Sequence, residues 1–302
     1  MRAILVFNPN ATTTDDGVRD VIASALASTV DLEVVATKQR GHATHLVAGA
    51  VHEGVEAVFA LGGDGTANEV LQALAGTDVR LGIIPGGGAN VLARALGLPN
   101  DAVDATATLL EHLRAGRERR IALGRAGERY FGFNAGYGFD AAVVRHVEQY
   151  PERKRRFKQA AFIYATAHEW FVGSRRDDTA ITVRLPDGTD RGPYALTLLA
   201  NADPYTYLGP RPMHVHPDAT FELGLDLLAI PAVSTPAFLS ILSRAFRHGG
   251  HIGRDDVPYW HDLDQFVLSS PTALPLMVDG DYAGEHREVR FTAVRDALRV
   301  IA

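Results

Sequence analysis

The chain has 302 residues, of which 46% are hydrophobic and 22% are charged. That length allows two domains with cores of their own, and the composition excludes a disordered chain. The absence of cysteine excludes disulfides and thiolate metal sites, and it fits a reducing cytoplasm. A formal net charge of −6 argues against a nucleic-acid partner held by phosphate neutralisation. No apolar run approaches the length of a membrane span, and the N-terminal run does not predict a signal peptide.

Strand and helix patterns alternate over the first 120 residues. An apolar run predicts a strand at 2–8, and Asp15 or Asp16 can cap the next helix, whose apolar residues recur at helical spacing. Further strands, each followed by a helix, are predicted at 32–36, 57–61 and 81–84. This alternation is typical of a parallel sheet covered by helices, in which ligands bind at the carboxyl ends of the strands.

A glycine-rich turn, Gly62-Gly63-Asp64-Gly65-Thr66, follows the third predicted strand. Glycines at a strand-to-helix junction let backbone amides approach a phosphate, and the helix N-terminus adds partial positive charge. Asp64 lies where phosphate or a metal ion would bind. A structural alternative is that Thr66 and Glu69 form an S/T-x-x-E capping box that only starts the helix.

A second glycine-rich turn, Gly86-Gly87-Gly88, follows the fourth predicted strand and precedes a short helix that ends at Gly97. Because both turns follow parallel strands, we expect them at the same edge of the sheet. The chain has neither a GxxxxGK[ST] nor a GxGxxG motif, so neither a P-loop NTPase nor a dinucleotide oxidoreductase is indicated.

After residue 120 the pattern changes to that of a mostly antiparallel β domain. Strands are predicted at 181–185, 194–201, 224–230, 266–269 and 274–278. Helices are predicted at 141–148, 155–171 and 236–247. We therefore expect an α/β domain at 1–120, which residues 294–302 can complete, and a β-rich domain at 121–293.

Both glycine turns and the short motifs around them resemble, in content and order, the diacylglycerol kinase catalytic family, which includes bacterial soluble lipid kinases and sphingosine kinases. The other motifs that carry the resemblance are Asn8-Pro9, Thr37, Gly41, Leu96-Gly97-Leu98-Pro99, the segment 133–140 and Asp279-Gly280-Asp281. It implies a Rossmann-like, phosphofructokinase-like α/β domain followed by a mostly antiparallel β-sandwich. It also implies ATP-dependent, Mg²⁺-assisted transfer of the γ-phosphoryl group to the hydroxyl of diacylglycerol or a related long-chain lipid, as in phospholipid biosynthesis.

The resemblance assigns roles to individual residues. Those expected to bind the nucleotide are Asn8, Thr37, Gly62, Gly63, Asp64, Gly65, Thr66, Asn68, Glu69, Gly87, Gly88 and Asn90. Asp64 would also bind the Mg²⁺ that accompanies ATP. Asp281 takes the position of the general base of the family, and whether Asp281 or Asp64 accepts the proton stays open.

Three departures from the family pattern affect these assignments. Asp281 replaces a glutamate and is one methylene shorter, and Gly88 replaces a threonine, although neighbouring glycine amides can compensate for its hydroxyl. Bacterial members carry an Asp-Asp-Gly-x-Leu turn that holds a structural Mg²⁺, whereas here Leu223 occupies the metal-binding aspartate position. We expect this second metal site, at Thr220, Leu223 and Leu225, to be absent or weak.

A basic cluster precedes the predicted helix at 155–171 and comprises Arg153, Lys154, Arg155, Arg156 and Lys158. It favours transient contact with anionic lipid headgroups at the inner face of the membrane. A solvated helix start explains it equally well. The sequence does not determine the oligomeric state, and a homodimer is compatible with it.

Histidine pairs offer a metal-binding alternative, because His214 and His216 share a face of an extended segment and His248 and His251 have helical spacing. Neither pair has a third ligand at recognisable spacing, so packing or surface roles are favoured. Two functional alternatives remain: an NAD kinase or phosphofructokinase, which share a GGDG turn, and a catalytically silent nucleotide- or lipid-binding regulator.

Overall fold

The computed structural model describes residues 1–9, 15–150, 159–170, 181–231, 235–247, 250–254 and 257–302. The chain forms two compact units, one comprising Met1–Leu123 and Arg295–Ala302 and the other Gly124–Val294. Within the described ranges, no helix is both long and apolar enough to cross a membrane.

The first unit is a parallel sheet with helices between its strands. Its elements are β1 Arg2–Phe7, α1 Asp16–Ala27, β2 Asp31–Ala36, α2 His42–His52, β3 Ala57–Gly62, α3 Asp64–Leu74, β4 Arg80–Pro85, α4 Val91–Ala95 and α5 Ala102–Ala115. Parallel pairing gives the strand order β4, β3, β1, β2. The predicted alternation is confirmed, and Asp15 caps α1 by accepting a hydrogen bond from the Val18 amide.

Helix α5 was not predicted, although both of its ends carry recognisable signals. The Asp101 side chain accepts hydrogen bonds from the amides of Val103 and Asp104, and Gly116 ends the helix with φ at 64°. Ser, Asp and Asn at a helix start and glycine just after its end are the usual caps. These two residues would have located the helix from sequence.

The register of the sheet brings the four carboxyl ends together. Phe7 lies opposite both Ala36 and Leu61, and Gly62 lies opposite Pro85. Strand β3 is buried along its whole length, as expected for a central parallel strand covered on both faces. The segments that follow β1, β2, β3 and β4 therefore lie along one edge.

The first sheet gains its last strand from the far end of the chain. The end of β16, Asp281–Val300, runs parallel to β4, with Arg299 opposite Arg80. Like charges directly opposite each other on neighbouring strands are destabilising. Glu118 relieves this repulsion, because its carboxylate binds Arg80 at 2.6 Å and also binds Arg299. The hydrogen bond from Arg80 and the nearby Arg299 lower the pKa of Glu118.

The second unit is mostly antiparallel. Its elements are β5 Arg119–Ala126, which begins in the first unit, β6 Arg129–Phe131, β7 Asn134–Gly138, α6 Phe139–Gln149, α7 Gln159–His168, β8 Ile181–Arg184, β9 Asp190–Tyr194, β10 Leu196–Ala200, β11 Thr206–Leu208, β12 Arg211–Met213, β13 Leu225–Ile230, α8 Thr235–Ala245, β14 Tyr259–Leu263, β15 Gln265–Val278 and most of β16. The main path of pairing runs β14, β13, β10, β7, β15, β16. Neighbouring residues of β15 belong to different apolar clusters, with Leu276 in one and Met277 in the other, so this part of the sheet is covered on both faces.

Three element predictions for the second unit need correction. The strand predicted at 194–201 is two strands, because Tyr194 pairs with Ile181 whereas Leu196 pairs with Gly138 and Ile230. The strands predicted at 266–269 and 274–278 are one strand, whose pairing register shifts between Ser269 and Leu274 and interrupts the alternation. Within the helix predicted at 155–171, the described part has α7 ending at His168.

Candidate functional site

The first glycine turn leads directly into α3. Gly63 is extended, with φ at −86° and ψ at −174°, and as a glycine it has no side chain to cap the helix. Helix α3 begins at Asp64, so the amides of Gly65 and Thr66 have no carbonyl four residues back within the helix. These amides and the helix dipole favour an anion at this point.

The capping-box alternative for Thr66 and Glu69 is wrong, because the helix starts earlier and Thr66 lies within its first turn. Glu69 instead binds the start of α2. Its carboxylate accepts hydrogen bonds from the Gly41 amide at 2.7 Å and the Ala43 amide at 3.0 Å. The carboxylate supplies the cap that Gly41, which has no side chain, cannot provide.

The two glycine turns touch through their backbones. The Gly86 amide donates to the Gly62 carbonyl at 2.7 Å. A Cβ atom on Gly87 would lie 2.6 Å from the Cα of Gly63, and one on Gly63 would lie 3.3 Å from the Cα of Gly87. The close approach therefore requires glycine, and the turns form one structure at the edge of the sheet.

Asn90 shapes the second turn. Its backbone is left-handed, with φ at 50°, and its side chain is buried. The amide group of the side chain accepts from the Gly87 N–H and donates to the Gly87 carbonyl, both at 2.9 Å, and it donates to Asn100 Oδ1 at 2.8 Å. The amides of Gly86 and Gly87 thus bind protein atoms, and compensation for the missing hydroxyl at Gly88 by the amides of this turn stays a prediction.

Asp64 joins the starts of two helices. Its carboxylate accepts a hydrogen bond from the Leu92 amide in the first turn of α4, with Oδ1 and N 3.2 Å apart. The residue is partly exposed, in contrast to the buried Thr66 and Asn68. Asp64 is thus a carboxylate beside the first amides of α3, which lack intrahelical partners, and this combination suits a phosphate with its cation.

The other predicted nucleotide residues lie at or near the same edge. The Asn8 amide donates to the Leu61 carbonyl at 3.3 Å, and the Thr37 amide donates to the Phe7 carbonyl at 2.8 Å. Asn68 is only 1% exposed, and its Oδ1 accepts from Gln72 at 3.3 Å. The structure brings the predicted residues together, while their roles in nucleotide binding stay predictions.

We expect Gly87→Ala to lower the free energy of unfolding by about 1–3 kcal/mol, because the new methyl group would overlap the backbone of Gly63. Denaturant unfolding measures this change. Gly88→Ala is the matched control, since a Cβ there meets no atom within 4 Å. Equal stability of the two variants would contradict the close contact between the turns.

In the second unit, the Asp279-Gly280 turn connects β15 to β16. Both residues have positive φ, 48° and 78°, which is the geometry of a two-residue type I′ hairpin. The buried Asp279 carboxylate accepts hydrogen bonds from the amides of Gly132, Phe133 and Asn134 at 2.7, 3.0 and 3.2 Å. The turn is thus anchored to the start of β7, and it determines the position of Asp281.

Asp281 is the first residue of β16 and pairs with Val278. Its Oδ2 lies 3.3 Å from Nη2 of Arg129, and its side chain is 20% exposed. The adjacent Tyr282 amide donates to Glu148 of α6 at 3.3 Å. The predicted base is therefore a partly exposed carboxylate on a rigid hairpin.

We expect Asp279→Ala to destabilise the chain by about 3 kcal/mol or more, because three buried amides would lose their acceptor. Thermal or denaturant unfolding tests this expectation. Asp187→Ala serves as the control, since that aspartate accepts from the Thr189 amide in an exposed turn. A loss no larger than that of the control would show that Asp279 does not anchor the hairpin.

Sequence reasoning did not single out Asp140 as a functional residue. Gly136 leaves room for it, since a Cβ there would lie 2.7 Å from Asp140 Oδ2. Burial raises the pKa of Asp140 to about 6, while the hydrogen bond from the Tyr205 hydroxyl at 2.8 Å opposes that rise. A carboxyl group that titrates near neutrality is a functional candidate. The spacing of the glycines in the segment 133–140 was the sequence signal that could have identified Asp140.

The turn expected to lack a structural Mg²⁺ contains Leu223 and the buried Asp226. The Asp226 carboxylate accepts from the Tyr259 hydroxyl, from His261 Nδ1 at 2.9 Å and from the Asp262 amide at 3.1 Å. These three donors occupy the Asp226 carboxylate. Leu223 and Leu225 offer no side-chain ligand, and weak or absent binding there stays a prediction.

The histidines proposed as alternative metal ligands have protein partners. His216 and His251 are buried, and each donates from Nε2 to a carbonyl, that of Leu198 at 3.0 Å and that of Val215 at 2.9 Å. Burial lowers the pKa of His216 to about 3 and also lowers that of His251. His214 binds Asp203, and His248 lies outside the described residues. The described members of both pairs have packing roles.

Comparison with known proteins identifies relatives of both sequence and fold. The family model for the diacylglycerol kinase catalytic domain matches residues 2–126. A diacylglycerol kinase of Mycobacterium tuberculosis is 32% identical over 280 residues, covering 90% of this chain and 85% of the relative. One of Staphylococcus saprophyticus is 27% identical over 288 residues, covering 94% and 90% of the two chains.

Two solved structures share the fold. The crystal structure of a diacylglycerol kinase from Bacillus anthracis superposes with a TM-score of 0.76 at 19% identity, covering 99% of this chain and 96% of the other. An NAD kinase from Archaeoglobus fulgidus, in complex with ATP, gives a TM-score of 0.56 at 13% identity over 100% and 94% of the chains. The α/β fold with a C-terminal antiparallel β domain is thereby confirmed, and the chain belongs to the diacylglycerol kinase catalytic-domain family.

Proposed function

We propose that the chain is an ATP-dependent lipid kinase that phosphorylates diacylglycerol or a related long-chain lipid alcohol. The observation that carries this proposal is the contact between the two glycine turns, which presents the amides at the start of α3 and the Asp64 carboxylate together. Family membership supports the lipid acceptor, and the ATP complex of the NAD kinase with a similar fold supports the phosphate donor.

In the proposed reaction, the oxygen of the lipid hydroxyl attacks the γ-phosphorus of ATP. A new bond forms between that oxygen and phosphorus, and the bond to the β-phosphate oxygen breaks, so that ADP leaves. The proton of the hydroxyl passes to a carboxylate. We assign that role to Asp281, because the hairpin holds it in a fixed position and its side chain is accessible.

The turn at Asp64 fits a magnesium ion. Mg²⁺ prefers oxygen ligands and is usually held through one or two carboxylates together with substrate phosphates. Asp64 would hold it beside the amides of Gly65 and Thr66. When bound, the ion would offset the negative charge of the phosphates. Asp64 therefore orients the phosphate end of the nucleotide in this proposal.

The lipid acceptor suggests transient contact with the inner face of the membrane. The basic cluster at 153–158, which would make that contact, lies outside the described residues. Each basic side chain near an anionic surface contributes about 1 kcal/mol to binding. Membrane contact and a cytoplasmic location are part of the proposal and await a vesicle-binding measurement.

Phosphate transfer from radiolabelled ATP to a panel of acceptors tests the proposed function. The panel contains diacylglycerol, other long-chain alcohols and NAD, each with and without Mg²⁺. A labelled lipid formed in the presence of Mg²⁺ is the expected result. A product with NAD alone would support the NAD kinase alternative, and ATP binding without turnover would support the silent regulator.

A further inference from the structure

Helices α6 and α7 bring two histidines and a glutamate into one cluster. His146 lies on α6, His168 is the last residue of α7, and Glu169 follows it directly. One ligand atom from each residue lies within 4.8 Å of the other two. The cluster belongs to the second unit and contains none of the residues assigned to phosphate transfer.

The distances in the cluster are those of a metal site. His146 Nδ1 is 3.2 Å from Glu169 Oε1, and His168 Nδ1 is 3.4 Å from the same oxygen. Zinc binds histidine nitrogen and carboxylate oxygen at about 2.0–2.2 Å, so the edges of a tetrahedral site measure about 3.3 Å. Both separations match that edge, and the ligand atoms of the two histidines lie within 4.8 Å of each other.

The polar atoms of the cluster are sheltered from water. The Glu169 side chain is only 8% exposed, that of His146 is 14% exposed, and that of His168 is 32% exposed although its Nδ1 is buried. Within the described part of the chain, buried Nδ1 of His168 makes no hydrogen bond, although Glu169 Oε1 is near, so the two atoms are not aligned for one. A cation between the three groups would satisfy both the carboxylate and this nitrogen.

The backbone around the cluster supports it. Val143, Val147 and Ala165 pack together and hold α6 against α7. After His168 the chain passes into a wider π-type turn at Glu169 and Trp170. Such turns are rare and occur frequently at functional sites. Here His168, directly before the wider turn, and Glu169, within it, both contribute to the cluster.

We propose that His146, His168 and Glu169 bind one zinc ion, with water in the fourth position. Two histidines and a glutamate are an established donor set for zinc, and zinc accepts both nitrogen and oxygen ligands. The ion cross-links α6 and α7. This site goes beyond phosphate transfer and does not depend on it.

Zinc titration of the full-length chain, without an affinity tag and after removal of bound metal, tests the proposal. Competition with a chromophoric chelator should show one zinc per chain, and His146→Ala and Glu169→Gln should each weaken the affinity at least tenfold. His52→Ala is the control, because that histidine is exposed at the end of α2. The zinc affinity of this variant should equal that of the unaltered chain. Absence of stoichiometric binding, or unchanged affinity in the two cluster variants, would overturn the site.

Cobalt substitution gives a readout that needs no variant. Co²⁺ in a four-coordinate site of nitrogen and oxygen ligands gives an intense visible absorption band, whereas hydrated Co²⁺ is six-coordinate and nearly colourless. We expect the band to appear at one equivalent of Co²⁺ and to disappear when zinc is added. A spectrum like that of the hydrated ion at one equivalent would contradict a site at these three residues.

Discussion

Asp64→Asn should lower kcat/KM for lipid phosphorylation by about 10²–10³, the typical effect of removing one electrostatic stabiliser of a transition state. The substitution removes the charge and keeps an oxygen that can accept the hydrogen bond from the Leu92 amide. The start of α4 should therefore stay in place. We also expect the Mg²⁺ concentration needed for half-maximal rate to rise, which steady-state kinetics at several Mg²⁺ concentrations would measure.

Asp101→Asn is the matched control for this experiment. Asp101 caps α5 through the amides of Val103 and Asp104, so the control removes a comparable carboxylate at the start of a helix other than α3 and α4. Its activity should match that of the unchanged chain. Full activity in Asp64→Asn would remove this carboxylate from the proposed mechanism.

Asp281→Asn should lower kcat by about 10²–10⁴, the usual contribution of general base catalysis, and should leave the affinity for ATP unchanged. The reason is that an amide cannot accept the proton of the lipid hydroxyl, although it has nearly the same shape. Loss of the ion pair with Arg129 should cost at most about 1 kcal/mol of stability, because both side chains are partly exposed. Turnover and ATP binding, measured separately, distinguish a loss of chemistry from a loss of binding.

Asp281→Glu provides the complementary variant. It introduces the side chain that the family pattern has at this position, and we expect it to retain most of the activity. Arg129→Gln removes the positive charge beside Asp281 and keeps the carboxylate, so it separates the ion pair from proton transfer. A high kcat in Asp281→Asn would instead move the proton acceptor to Asp64.

Local sequence patterns were sufficient to predict the fold class. The apolar runs that became β1 to β4 and the glycines at their ends predicted a parallel sheet with both turns at one edge, and the pairing of Gly62 with Pro85 agrees. These signals are local, because strand periodicity and the steric freedom of glycine act over a few neighbouring residues. The boundary at Ala195 was missed, because the apolar run begins at Tyr194, the last residue of β9, and no turn residue separates it from β10.

Contacts between distant residues could not be predicted in the same way. Glu69 caps a helix that starts 27 residues earlier, at His42, and Asp279 binds amides near Gly132. Nothing in the sequence near these carboxylates identifies their partners. The cluster of His146, His168 and Glu169 was missed for the same reason, since the packing of α6 against α7 creates it.

The return of β16 to the first sheet constrains how the chain can be synthesised and folded. β4 pairs with β3 on one side and with the end of β16 on the other, so one edge of β4 stays unpaired until residues 299–300 arrive. An N-terminal unit that emerges first from the ribosome would therefore expose a strand edge while the whole of Gly124–Val294 is still being made. Nascent chains interrupted in that interval should be the form of this protein most prone to aggregation and most dependent on chaperones.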